Sequence, residues 1–237
     1  MSNVSAFEVA RPQDPSVERL IIDGAAGRIE LALDWPDDAV RGIVCVGHPH
    51  PLFGGTLDNK VVATIARTFA GLGWLSARLN FRGVGASTGM HDEGNAETDD
   101  FLHVIDSLPR LPQLQHRISA NLPIAVAGFS FGSYVAAQSA QALATSGKVV
   151  RYIVLVGAAA GKWAMPDVAP GTLVIHGERD ETIPLADVLD WARPQQLPIV
   201  VVPGADHFFH RRLGLLKRLI RAHIQGMSAI DEARQTV

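Results

Sequence analysis

A five-residue stretch, Gly128-Phe129-Ser130-Phe131-Gly132, limits the folds open to this chain more than any other part of it. Before it, Ile124–Phe129 reads as a strand. After it, Phe131–Ala144 reads as a helix whose Gly132, Ser133, Ala136, Ala137 and Ala140 are all small. A chain that passes from strand to helix at one residue turns sharply and holds that residue, Ser130, in an unfavourable backbone conformation. Side chains two positions before and two after would collide with the turn, and both positions are glycine. The small residues that follow let the helix approach a sheet closely. The serine is then left at the carboxyl end of a strand, where open α/β sheets hold their ligands.

The rest of the chain alternates in the same way. Leu20–Asp23 and Arg28–Trp35 read as an antiparallel pair turning near Gly24 and Gly27. Ile43–Gly47 is a near-continuous apolar run, the pattern of a strand covered on both faces. Asn59–Leu72 is predicted helical, with Val62, Ile65, Ala66 and Phe69 on one stripe, and Trp74–Asn80 is the next strand. Asn95–Leu108 is a helix whose Glu97, Asp99 and Asp100 sit where the helix dipole favours acids. Leu108–Pro123 is a proline-bearing connector. Tyr152–Gly157, Thr172–His176 and Ile199–Val202 are strands, with helices over Leu185–Ala192 and Arg212–Ile224. Strand–helix alternation of this kind predicts a doubly wound, mostly parallel sheet with helices on both faces. The expected organisation is an N-terminal extension over 1–17, one domain over 18–225 and a C-terminal tail over 226–237.

A serine hydroxyl is a weak nucleophile and needs a base that an acid orients. On this architecture the order is serine, acid, histidine. Thr172–His176 leads into Gly177-Glu178-Arg179-Asp180, and Ile199–Val202 leads into Pro203-Gly204-Ala205-Asp206-His207. Asp180 and His207 therefore occupy the expected strand ends in the expected order. Glu178 and Glu181 read as solvated neighbours, Asp206 as pointing away from His207, and His176 as a structural hydrogen-bonding group. Two backbone N–H groups are needed for an oxyanion. One is expected from Phe131. The other should come from His48-Pro49-His50-Pro51-Leu52-Phe53-Gly54-Gly55, where the prolines have no N–H to give. His50 and Leu52 remain, and the distance from the strand end favours His50. His48 and His50 alone do not make a metal site, which needs three or more protein ligands, so neither metal nor cofactor is expected.

Lys+Arg 21 against Asp+Glu 24 gives a net charge of −3, without the basic surplus of a nucleic-acid binder. Cys45, the single cysteine, reads as a small buried hydrophobe. The N-terminus lacks the pattern of a signal peptide and no apolar run is long enough for a membrane span, so a cytoplasmic monomer or homodimer is expected. His91, Asp92 and Glu93 read as a solvated loop tip, and Arg82 as a residue that shapes the loop around it. Arg211, Arg212, Lys217, Arg218 and Arg221 read as the solvated face of the last helix.

The segments His48–Val62 (HPHPLFGGTLDNKVV) and Asn80–Ser87 (NFRGVGAS) resemble those of small bacterial serine hydrolases of the α/β-hydrolase fold related to dienelactone hydrolase. The resemblance covers roughly 18–225. It implies Ser130, Asp180 and His207 as a catalytic triad and hydrolysis of small-molecule esters. Dienelactone hydrolases themselves carry a cysteine where this chain has Ser130. Too few residues separate Tyr152–Gly157 from Thr172–His176 for the helical lid that many relatives insert. The expected site is an open cleft, with Leu52, Phe53, Met90, Phe131, Trp163 and Phe208 as candidate apolar walls, suited to short acyl esters or to a polymer end laid across the surface. A thioesterase or acyltransferase would use the same triad, and a non-catalytic ligand-binding protein would keep the fold.

Overall fold

The computed structural model describes residues 17–119 and 121–235, and for 231–235 the backbone only. The expected extension over 1–17 thus lies almost wholly outside the described residues. Eight strands form one sheet in the order β1-β2-β4-β3-β5-β6-β7-β8. β1 (Val17–Gly24) and β2 (Gly27–Asp34) pair antiparallel, and β2 pairs antiparallel with β4 (Trp74–Leu79). From there the sheet is parallel through β3 (Gly42–Gly47), β5 (Ile124–Phe129), β6 (Val150–Val156), β7 (Leu173–Gly177) and β8 (Ile199–Val202). The expected doubly wound, mostly parallel sheet is present.

Alternation along the central strands divides the core in two, as it must for a sheet buried on both faces. On β3, Val44 and Val46 face α1 (Lys60–Ala70) and α5 (Leu213–Gln235), which supply Ile65, Phe69, Leu216 and Ile220. Ile43 and Cys45 face α2 (Asn95–Ser107), α3 (Phe131–Thr145) and α4 (Leu185–Ala192), which supply Phe101, Val104, Val135, Ala136 and Val188. Cys45 is fully buried, and burial pushes its thiol well above its ordinary value. α1 opens where Asn59 Oδ1 accepts the Val61 N–H at 2.9 Å.

Helix α5 extends to Gln235 instead of stopping at Ile224. Gly226 does not break it, because no proline follows and Ala229, Glu232, Ala233 and Arg234 favour helix. Residues 157–172, between β6 and β7, hold only an isolated bridge between Ala160 and Trp163. No lid covers the carboxyl end of the sheet there. No described helix is long and apolar enough to cross a membrane.

Candidate active site

Ser130 sits between β5 and α3 with φ 56° and ψ −126°, a left-handed conformation that a non-glycine residue adopts only under constraint. The constraint is the packing around it. A Cβ on Gly128 would lie 2.0 Å from the Gly132 carbonyl oxygen, and one on Gly132 would lie 2.3 Å from the Gly47 carbonyl carbon. The first turn of α3 is thus pressed against both its own strand and the end of β3. The Ser130 N–H is fixed by the Val156 carbonyl at 2.9 Å.

The structure brings Ser130, Asp180 and His207 together. His207 Nε2 lies 2.9 Å from Ser130 Oγ, and Nδ1 lies 2.7 Å from Asp180 Oδ2. Asp180 Oδ1 accepts the N–H groups of Thr182 at 3.0 Å and Ile183 at 2.8 Å, so both carboxylate oxygens are held. Burial alone would raise the Asp180 carboxyl. The hydrogen bond and charge of His207 and the Ile183 N–H outweigh it and hold the carboxyl below its ordinary value. With Asp180 ionised, Nδ1 of His207 carries the ring proton and Nε2 is left to accept from Ser130. All three side chains are recessed, with Ser130 about one-fourteenth exposed at 7%. His176 packs beside the acid, with Nε2 2.9 Å from the Ile183 carbonyl oxygen, the structural role expected of it. Asp206 instead pairs with His210 at 2.6 Å on the surface.

The loop after β3 supplies the other half of the site. His48 is fully buried, with Nδ1 2.6 Å from the Pro49 carbonyl oxygen and Nε2 accepting the Phe81 N–H at 3.0 Å. Burial lowers its pKa to about 4, so the ring is neutral and Nδ1 is the donor. That bond fixes the plane of the trans Pro49–His50 peptide and therefore the direction of the His50 N–H. Among the described residues the His50 N–H and the Phe131 N–H have no acceptor. The Leu52 N–H is turned back onto His50 Nδ1 at 3.2 Å, inside the short 3₁₀ turn Pro51–Phe53. Of the two expected donors in this loop, His50 is the one left unengaged.

The candidate walls divide. Phe53 (86% exposed), Met90 (83%) and Leu52 (70%) are open to solvent, and Phe208 is also exposed, with its ring 5.2 Å from that of His207. Trp163 packs against His50 and Phe131 at 5.4 and 5.3 Å between ring centroids. Phe131 is no wall. Its ring is fully buried among Phe81, His50, His91 and Trp163.

Of the expected solvated loop tip, Asp92 and Glu93 are exposed, while His91 departs from expectation. Glu97, fully buried in the first turn of α2, accepts from His91 Nδ1 at 2.8 Å, from the Asp92 N–H at 3.0 Å and from the Gly94 N–H at 2.9 Å. The His91 side chain is consequently only 6% exposed, not solvated. The acid's place near a helix N-terminus pointed to the dipole, while its tertiary partners have no local signature. Arg82 behaves as expected, clamped by both oxygens of Asp100 at 2.8 and 2.9 Å, which ties the loop to α2. Gly157, unremarked in the sequence, has φ 55°, and a Cβ there would lie 3.3 Å from His207 Cε1. It leaves room for the imidazole.

No protein-family model matches this chain. Among solved structures, a serine hydrolase without a lid from Xanthomonas campestris is 34% identical, with a TM-score of 0.77 over 90% of this chain and 95% of that one. The chain belongs to the lidless α/β serine hydrolases. An α/β serine hydrolase homologue from Coxiella burnetii is 33% identical, with a TM-score of 0.76 over 86% of this hydrolase and 96% of its own chain. An uncharacterised protein of Rickettsia prowazekii is 28% identical over 219 residues, covering 87% of this chain and 88% of its own. The fold of the hydrolase, its missing lid and its family agree with the resemblance carried by His48–Val62 and Asn80–Ser87.

Proposed function

We propose that this hydrolase is a carboxylesterase for small or short-acyl esters, working through an acyl-enzyme on Ser130. The observation that carries the reading is the continuous hydrogen-bonded line from Asp180 through His207 to Ser130 Oγ, with spans of 2.7 and 2.9 Å. His207 Nε2 takes the hydroxyl proton as Oγ attacks the ester carbonyl. The positive ring that results is stabilised by Asp180, which also fixes its tautomer. The amides of Phe131 and His50 hold the developing oxyanion. His207 then delivers its proton to the leaving alcohol, and water repeats the cycle to release the acid.

The open mouth supports the choice of substrate. Leu52, Phe53 and Met90 offer apolar contact but stay in water, so a long acyl chain would gain little by lying over them. The test is fluorophosphonate labelling of the whole protein, with mass spectrometry to place the adduct and Ser130→Ala as the control. A single adduct on Ser130, absent from the variant, is expected. Folded protein that takes no label, or takes it elsewhere, would overturn the assignment. Turnover of a graded series of esters and the matching thioesters then checks the bond cleaved, with the short esters expected to be preferred.

A further inference from the structure

We propose that His50, His91 and Glu93 bind a divalent transition metal of the Zn²⁺ type at the lip of the Ser130 cleft. These residues come from the β3 and β4 loops, and each offers one ligand atom, all within 4.8 Å of one another. Two imidazoles and one carboxylate form a donor set that Zn²⁺ favours, with a fourth position left for water.

The strongest observation is an unpaired atom. His91 Nε2 is buried and has no hydrogen-bond partner. Its other nitrogen, Nδ1, is tied to Glu97 at 2.8 Å, so the Nε2 lone pair is presented to the cluster. A carboxylate behind a ligating histidine fixes the tautomer and raises the basicity of the ring. Glu93 Oε1 lies 3.6 Å from that Nε2, too far for a hydrogen bond. Two ligands about 2.0–2.2 Å from one tetrahedral ion stand roughly 3.3–3.6 Å apart, so this pair is already spaced for a metal.

His50 completes the set. The ligand atoms of the three residues all lie within 4.8 Å of one another, so His50 must draw in by about an ångström to reach tetrahedral spacing. Neutral His50 accepts the Leu52 N–H at Nδ1 and so holds its proton on Nε2. Ligation through Nε2 sends that proton to solvent and takes one up at Nδ1, with no net change, and the Leu52 N–H is released to water. The charged groups that act on the His50 ring are the carboxylates of Glu93 and Glu97, which favour a cation there, and the ammonium of Lys162, which opposes it.

The site stands whether or not the chain is an esterase. One consequence does rest on that reading. His50 carries the N–H assigned to the oxyanion, so metal on its ring draws on the same loop that serves Ser130.

The test is titration of the whole protein with Co²⁺, followed by its visible ligand-field bands, and with Zn²⁺ by calorimetry. One ion per chain is expected, with affinity about tenfold or more weaker in His91→Gln and Glu93→Gln. Glu93→Gln alters an exposed side chain and keeps the comparison valid if His91→Gln misfolds. His210→Ala, which removes the surface imidazole paired with Asp206, should bind as the wild type does. Absence of Co²⁺ bands, or affinity unchanged in Glu93→Gln, would overturn the site, as would loss of binding in His210→Ala alone. At a Zn²⁺ concentration that loads the wild type but leaves most of Glu93→Gln unloaded, fluorophosphonate labelling of Ser130 should also be slowed in the wild type and not in the variant. Equal slowing in both would sink the coupling, while the Co²⁺ bands judge the site separately.

Discussion

Two carboxylate–imidazole pairs flank the turn at Ser130, one in each half of the sheet. Asp180–His207 comes from the loops after β7 and β8, and the His207 ring lies 4.8 Å from that of Phe129. Glu97–His91 comes from the β4 loop and α2, and the His91 ring lies 5.3 Å from that of Phe131. In both, a buried carboxylate fixes Nδ1 and leaves Nε2 presented. The difference lies in what Nε2 meets. That of His207 meets the Ser130 hydroxyl, and that of His91 has no hydrogen-bond partner, with the Glu93 carboxylate 3.6 Å away. A carboxylate–histidine pair is therefore a way of aiming a nitrogen, and the neighbour it is aimed at decides whether it becomes a base or a ligand. Substitution of each acid should separate the two roles.

Asp180→Asn is expected to give the largest effect. The amide cannot hold the tautomer with Nδ1–H toward it and Nε2 free, and kcat should fall by roughly 10⁴ with little change in KM. Steady-state kinetics on a short ester checks this. Turnover within tenfold of wild type would remove Asp180 from the line.

Acid should weaken the fold through the loop after β3, chiefly at His48. Its pKa is about 4 in the folded chain against an ordinary value of 6.5. Between those limits the unfolded chain binds a proton that the folded chain refuses, so stability is lost as pH falls from 6.5 toward 4. At 1.36 kcal/mol per unit the loss from this group approaches roughly 3 kcal/mol. His50 and His176, also lowered by burial, add in the same direction. Asp180, held below the ordinary carboxylate value, contributes only below that window. Urea midpoints measured across the window should fall steeply in the wild type and less steeply in His48→Gln. Equal slopes would show that His48 is not the group refusing the proton.

Glu97→Gln is expected to reverse the pattern of Asp180→Asn. Glu97 accepts three hydrogen bonds in a fully buried place, and the amide can satisfy only some of them. The fold should lose about 1–3 kcal/mol, read as a lower thermal midpoint, while turnover per folded molecule stays within a few-fold. A fall in kcat comparable to that of Asp180→Asn would place the Glu97–His91 pair in the chemistry.

The same contrast explains what could be read from the sequence. Ser130, Asp180 and His207 each follow a strand at a fixed point, so strand patterning and chain order were enough to place them. The glycines at 128 and 132 announced the turn because their requirement is local. His91, Glu97 and Gly157 were invisible, because what each meets comes from elsewhere in the fold. Glu97 looked like any acid near a helix start, and only the β4 loop folding over it reveals that it is buried. The length of α5 is not legible either, because the apolar stripe that marks the helix fades after Ile224 while the backbone continues to Gln235. The choice between His50 and Leu52 needed the direction of two amides, which residue type does not encode.

The smallest effect should come from the open rim of the loop after β3, where the Phe53 ring packs at a tilt against His50 at 4.8 Å between ring centroids yet is 86% exposed. An exposed ring contributes little to folding, so Phe53→Ala should leave stability within about 0.5 kcal/mol. Its effect should depend on the substrate. Each acyl CH₂ fully removed from water is worth about 0.8 kcal/mol, but a rim open on one side removes only part of that area. Wild-type kcat/KM should rise over the first added carbons and then flatten once the chain extends past the rim. In Phe53→Ala the plateau should arrive earlier and lie a few-fold lower, through KM, with acetyl esters unaffected. A profile that keeps climbing with chain length in the wild type would mean that the mouth encloses more apolar surface than these exposed side chains provide, and the short-acyl preference would fall with it.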